Sequence, residues 1–489
     1  MGTVLLILLG ILILVYLWLK RHYNYWARQG IPQPPPVFGF GCFLDVILMR
    51  DIPGLIYDKM YKDYSGHDAV GLYQFFTPEL LLRSPELIKR VMASDFSSFH
   101  DNLVTVSERL DPHFAKDPFM AKGEEWKRYR AKLVPTVTST RMKEIYPLMK
   151  DVTNRLDAYL EGSESKIFDA KELATLFTMD NVSSTVFGIN SNCFSDPEAT
   201  FRKLGNLQMK EQLKFRWQTI IVLFLPRLRN LLGLRFVPTV VNNFVESIVQ
   251  DVIDFRSKNG VVRNDLFQYF MKKEPGNKLE DIMSYAMTFF IEGFETAAMT
   301  ASAAIYELAL NPDVQVTLHE EILEAFGDEG NIDVDVAYNL PYLDKVVQES
   351  LRKYPIMYVY DRECTKAINF DVDGKSVEIP VGCSVVIPVY SIHHDPQYYP
   401  DPEVFDPERF SKENKAQRPA YTYMPFGEGP RICPGLRFGL TQVKLLLTYL
   451  VHKYKIQRCD KTPEKLTLSA SPVLVSPNEQ QWIRLEKRW

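Results

Sequence analysis

Paired cysteines are missing from this sequence. Its six cysteines, Cys42, Cys193, Cys364, Cys383, Cys433 and Cys459, are scattered through 489 residues with no Cys-x-x-Cys spacing. That argues against both a zinc site and a disulfide framework, and it fits a reducing compartment. No serine- or glycine-rich linker, internal repeat or block of like charge interrupts the chain, so one large domain is expected to account for most of its length. The net charge is -4 with both signs interspersed, which leaves no footprint for nucleic acid. No Gly-x-Gly-x-x-Gly occurs, and Gly39-Phe40-Gly41 lacks both the third glycine and a strand-helix setting. The chain therefore shows no NADPH site of its own, and electrons for redox chemistry would have to come from a partner. What is abundant is apolar: 46% of residues are hydrophobic, enough for a sizeable globular core.

Residues 3–19 form an uncharged, almost wholly apolar run that as a helix would extend roughly 26 Å, close to a thin bilayer core. Lys20, Arg21 and Arg28 follow it, which by the positive-inside tendency leaves the following chain in the cytosol. No small-residue cleavage site follows, so residues 1–22 read as an uncleaved transmembrane signal anchor. The sequon Asn181-Val182-Ser183 would then stay bare. Residues 23–41 read as a proline-rich linker, because Pro32, Pro34, Pro35 and Pro36 bias their predecessors away from the helical region. Residues 42–489 form the catalytic domain.

Near the other end stands Phe426-Gly427-Glu428-Gly429-Pro430-Arg431-Ile432-Cys433-Pro434-Gly435. A thiolate that binds metal needs backbone folded closely around it, and Gly427, Gly429 and Gly435 allow that. The apolar run after the cysteine predicts a helix whose positive end faces the sulfur and favours thiolate over thiol. Upstream, residues 281–311 carry one uninterrupted helical pattern containing Glu292-Gly293-Phe294-Glu295-Thr296. Trp126 and Arg130 stand four apart on another predicted helix, and Glu349 and Arg352 three apart on a third. From 359 to 389 short strands with an Asp373-Gly374 hairpin signal give the only substantial β region expected.

The cysteine loop resembles the haem-binding signature of the cytochrome P450 superfamily. Trp126-x-x-x-Arg130, the Glu292 to Thr296 stretch, Glu349-x-x-Arg352 and Pro407-Glu408-Arg409-Phe410 recur in the order that family shows. Ser391-Ile392-His393-His394-Asp395-Pro396 is similar to the insect microsomal branch, which metabolises hormones and plant or synthetic toxins. The resemblance implies a mainly α fold with small β-sheets, preceded by the transmembrane helix and lying on the cytosolic side of the endoplasmic reticulum. It implies haem b with Cys433 as the iron ligand, and Trp126, Arg130, Arg362 and Arg431 on the haem carboxylates. Phe426 and Gly427 belong to the haem loop. Glu295 and Thr296 would relay protons to iron-bound oxygen, while Glu349, Arg352 and Arg409 form a buried structural triad.

The implied reaction is insertion of one oxygen atom from dioxygen into a lipophilic substrate. NADPH supplies electrons through a membrane-bound flavoprotein reductase, with cytochrome b5 as a further partner. Lys127, Arg128 and Lys132 would offer a basic docking face. The apolar stretch 219–226 resembles a membrane-dipping lid, or is an ordinary core helix. Glu292 stands where most of the family has alanine or glycine; a fatty-acid-hydroxylating branch has glutamate there and esterifies it to a haem methyl group. Glu292 therefore either forms that ester or is a hydrogen-bonded or protonated glutamate that shapes the pocket. A reductase-independent haem-thiolate isomerase or dehydratase, and a non-catalytic haem carrier or sensor, are the rival functions.

Overall fold

Residues 2–214, 216–272, 279–328, 331–468 and 474–488 are described by the computed structural model. Helices dominate. The strands are β1 (Ala69–Gln74), β2 (Thr77–Leu82), β3 (Ile167–Asp169), β4 (Tyr360–Glu363), β5 (Ile368–Val372), β6 (Lys375–Ile379), β7 (Ser384–Ile387), β8 (Tyr454–Gln457) and β9 (Trp482–Lys487). The chain forms two units, each assembled from three stretches. One comprises Met1–Leu103, Met357–His393 and Pro419–Ile432; the other comprises Val104–Ile356, His394–Arg418 and Cys433–Trp489.

In the first unit the apolar N-terminal run is a helix, Gly2–His22, whose Thr3–His22 part is long and apolar enough to cross a membrane. A four-stranded sheet follows in the order β1-β2-β7-β4, with β2 and β7 parallel and the other pairs antiparallel. The expectation of a single β region near 359–389 thus misses β1 and β2. Every residue of β1 is buried, and a strand covered on both faces carries no alternation to betray it. The hairpin signal does hold: Val372 pairs with Lys375, and Asp373 and Gly374 both take positive φ, +52° and +74°, as a tight two-residue turn requires.

The segment after the membrane helix is packed down. Trp26 is buried over Gly71, where a Cβ would come within 2.2 Å of the indole, and its Nε1 donates to the Leu72 carbonyl at 3.1 Å. Residues 31–36 have no regular backbone pairing.

The second unit is built around the helix Glu295–Leu310, which is buried from Ala297 to Ala309. Its alanines at 297, 298, 301, 303 and 304 let the helices Ala170–Val182 and Leu436–Lys453 pack closely against it. The long helix expected over 281–311 is in fact two, Leu279–Glu292 and Glu295–Leu310. Thr296 Oγ1 donates to the Glu292 carbonyl at 2.9 Å, the local bond expected of a threonine that loosens its helix. The Gly293 carbonyl instead accepts from Gln442 Nε2 at 3.1 Å. A Cβ on Gly293 would lie 2.4 Å from the Phe289 carbonyl oxygen, so the break admits only glycine without backbone movement.

The triad expected from Glu349, Arg352 and Arg409 is present. Arg352 donates to both Glu349 oxygens at 2.7 and 2.9 Å, with both side chains wholly buried, and Arg409 Nε stands 3.5 Å from the same carboxylate. Glu349 also accepts the Asp406 amide at 3.0 Å, and Arg352 donates to the Pro402 carbonyl at 2.8 Å.

Two other expectations change. Asn181 is 0% exposed and donates to the Phe177 carbonyl, so its sequon is no acceptor in the folded chain, whatever the compartment. Within the stretch 219–226, Ile220, Val222 and Leu223 are buried. The exposed apolar side chains nearby are Trp217, Leu228, Leu231 and Leu232, with Leu231 81% exposed, so most of them lie on the following helix Pro226–Leu232.

Candidate functional site

The helix Gly123–Leu133 carries Trp126 and Arg130 on one face, with Trp126 buried and Arg130 half-buried. Burial lowers the Arg130 pKa, and Cys433 opposes that, so the guanidinium and the sulfur interact although 303 positions apart. Cys433 itself has accessible surface, yet burial pushes its thiol up to about 12, with Glu292 and Asp117 adding to the rise. The helix Leu436–Lys453 does begin just after it, and the Gly435 amide and Arg130 favour the anion. Burial outweighs both, and a cation bonded to the sulfur would restore the anion. Gly435 has an ordinary negative φ of -82°, and a Cβ there would meet only the Cys433 sulfur, at 3.9 Å. Its backbone does not require glycine.

Glu292 ends the helix Leu279–Glu292. Burial first and the Asp117 carboxyl second raise its pKa well above the ordinary carboxyl range. Asp117 is the residue that sequence reasoning missed. It is 1% exposed, its Oδ1 accepts the Phe119 amide at 2.6 Å, and its Oδ2 has no hydrogen-bond partner of good geometry. Burial lifts it to about 6 even against those amide and hydroxyl donors. Glu292 is half-buried by its exposed surface, and nothing in the geometry calls for an ester.

Glu295 turns elsewhere. Lys171 Nζ, on the helix Ala170–Val182, donates to Glu295 Oε1 at 2.8 Å and to Thr175 Oγ1 at 3.1 Å. The proposed docking cations are also partly answered: Lys127 pairs with Glu124 at 2.6 Å, Arg128 with Glu125 at 2.8 Å, and Lys132 with Asp281 at 3.6 Å.

A pH test follows from Asp117. Its folded pKa lies above its unfolded value, so the buried acid costs nothing below about pH 4, and the cost grows as pH rises through about 6. Asp117→Asn should therefore gain stability relative to the unaltered protein between pH 4 and 7.5, by up to about 3 kcal/mol. Urea unfolding at both pH values reads it; a pH-independent difference would contradict the burial of the charge.

In the first unit Arg362 and Arg431 converge on one short segment. Arg362 Nη1 donates to Asn102 Oδ1 and the Asp361 carbonyl, each at 2.7 Å, while Arg431 Nε donates to the His100 carbonyl and its Nη2 lies 3.4 Å from Asp101. Both are buried, and burial lowers the Arg362 pKa. Among the described residues the buried Nε of Arg362 has no acceptor. Residues 100–102 carry no motif, which is why the sequence did not single them out. Phe426 is half-buried, Gly427 has φ +72° and Gly429 φ +71°. A Cβ on Gly429 would fall 2.0 Å from the Met92 carbonyl oxygen, so that glycine is obligatory.

Each unit by itself offers groups that suit haem: in the second, a cysteine that interacts with Arg130 suits an iron held in a macrocycle. Desolvated guanidiniums, one with a spare buried donor, suit carboxylates.

Comparison with known proteins agrees. The family profile described as "Cytochrome P450" matches residues 31–484. The chain is 37% identical to "Probable cytochrome P450 6a13" of Drosophila melanogaster, covering 99% of both chains. It is 36% identical to "Cytochrome P450 6k1" of Blattella germanica, over 95% of this chain and 93% of that one.

Proposed function

The chain belongs to the cytochrome P450 family, and on that premise we propose that it is a membrane-anchored monooxygenase of lipophilic small molecules. Insecticides, plant toxins, hormones and fatty acids are the classes of substrate. NADPH provides electrons through a flavoprotein reductase, with cytochrome b5 as a further partner. Residues 42–489 lie on the cytosolic face of the endoplasmic reticulum.

The observation that carries the proposal is Cys433 just before the helix Leu436–Lys453, with Arg130 of the helix Gly123–Leu133 interacting with its sulfur. Haem b, when bound there, supplies oxygen activation at an iron whose thiolate ligand pushes electron density toward the oxygen-oxygen bond. Cys433 is assigned as that ligand, and Trp126, Arg130, Arg362 and Arg431 as partners of the haem carboxylates. Phe426 and Gly427 shape the ligand loop. Thr296 holds the helix break open through its bond to the Glu292 carbonyl and offers its hydroxyl to passing protons. Glu295 can deliver a proton to that hydroxyl only after leaving Lys171, so the ion pair sets a cost on the acid's swing. Burial and the Asp117 carboxyl push the Glu292 pKa up, which disfavours a charge there.

Oxidised product should require the reductase, NADPH and dioxygen together. Turnover without reductase would instead identify an isomerase or dehydratase, and no turnover with any substrate that shifts the iron spin state would identify a carrier. Thr296→Ala should keep haem and NADPH consumption while product per NADPH falls roughly tenfold or more and peroxide rises. Unchanged coupling would remove Thr296 from proton handling.

A further inference from the structure

Where the membrane helix ends, the chain makes a basic pocket that the oxidation chemistry does not use. The helix Gly2–His22 closes with Lys20, Arg21 and His22, and a second short helix, Tyr25–Arg28, follows it. Leu17, Lys20, Arg21, Asn24, Ala27 and Arg28 line a cavity of about 460 Å³. Lys20, Arg21, Asn24 and Arg28 are exposed. Among the described residues no carboxylate pairs with any of the three cations; Arg28 Nε only donates to the Asn24 carbonyl at 3.3 Å. Elsewhere on the surface, cations such as Lys127, Lys143 and Lys487 have an acidic partner within 3 Å.

The pocket is held in place. Trp26 is buried on β1, Tyr23 donates to the Phe75 carbonyl at 2.9 Å, and the Tyr25 amide donates to the Tyr73 hydroxyl at 2.9 Å. Directly before it on the same helix lie exposed Leu14, Val15, Tyr16, Leu17 and Trp18. Aromatic rings at the end of an apolar span sit at headgroup depth, so the cations one turn further fall at the level of lipid phosphate.

We propose that this pocket binds the headgroup of an anionic glycerophospholipid, with Lys20, Arg21 and Arg28 on its phosphate and carboxylate oxygens and Asn24 donating beside them. The proposal rests on residues 1–22 spanning a bilayer. Each cation near an anionic surface contributes roughly a fivefold preference.

The full-length protein is reconstituted into phosphatidylcholine vesicles containing a trace of acyl-labelled phosphatidylserine or acyl-labelled phosphatidylcholine, and energy transfer from tryptophan is compared. Trp18 sits beside the pocket and reports it. Transfer to the serine lipid should exceed transfer to the choline lipid several-fold. The combined variant Lys20→Gln, Arg21→Gln, Arg28→Gln should lose that excess while transfer to the choline lipid stays the same, which shows that the chain is still inserted. Equal transfer to both lipids in the unaltered protein, or an excess that survives in the variant, overturns the proposal. Loss of the excess on adding millimolar inorganic phosphate would make this a general phosphate site and overturn the lipid assignment. Absence of transfer to either lipid would refute the membrane span itself, and the headgroup site with it, without touching the assignment of Cys433.

Discussion

Cys433→His should take up haem yet lose the thiolate-type Soret band of the reduced carbon-monoxide complex, and with it all reductase-dependent oxidation. The expectation follows from the charge on the ligand. A thiolate is an anion whose burial here is disfavoured, with the thiol pushed up to about 12, so only bonding to iron makes the anion stable. Imidazole binds neutral and pushes less electron density onto the metal. Arg130 and the Gly435 amide remain in place around the substituted side chain, so loss of the band would report the ligand and not the cradle. Cys433→Ser serves as a second variant should imidazole not fit. Retention of the thiolate-type band in either would move the ligand elsewhere, and the other five cysteines are the only sulfurs of that kind in the chain.

Arg352→Leu should be the most damaging change outside the site. It leaves Glu349, wholly buried, without its bidentate partner, and breaking a buried pair from one side costs about 3 to 5 kcal/mol. Against a typical total stability of about 5 to 15 kcal/mol, little folded protein should remain. Arg409 at 3.5 Å can answer only part of the exposed charge. The double change Glu349→Leu with Arg352→Leu should recover much of the loss, because no charge is then stranded. The midpoint of urea unfolding and the haem content of purified protein check both. A single variant as stable as the double would show that the pair does no structural work.

These two residues also show what a sequence can and cannot reveal. Cys433, Glu349, Arg352, Trp126 and Arg130 sit in local patterns whose spacing carries their meaning, and the structure places Arg130 in the field of Cys433 and Arg409 beside Glu349. The membrane helix and the Asp373-Gly374 turn are legible for the same reason: length and positive φ are local properties. Asp117, Lys171 and the segment His100 to Asn102 have no such mark. Their importance comes from what the fold sets beside them, Glu292 for the first, Glu295 for the second and two arginines for the third. The strands β1, buried throughout, and β2, buried from Glu79 to Leu82, carry no alternation to betray them, and the break at Gly293 is hidden because apolar periodicity continues across it while the backbone does not.

The Gln442 to Gly293 bond has a consequence for how the protein can change over time. Gln442 sits on the helix that starts three residues after Cys433, and Gly293 sits in the break before Glu295, so one side-chain amide ties the helix after Cys433 to that break. Neither end can drift alone. A shift of the kink that admits a bulkier substrate would drag on the ligand helix, and a change in that helix would close or open the kink. Adaptation to new substrates should therefore accumulate away from this fastening, in walls that move without it, and position 293 should stay glycine whatever stands at 442, because its clash is with the Phe289 carbonyl and not with Gln442.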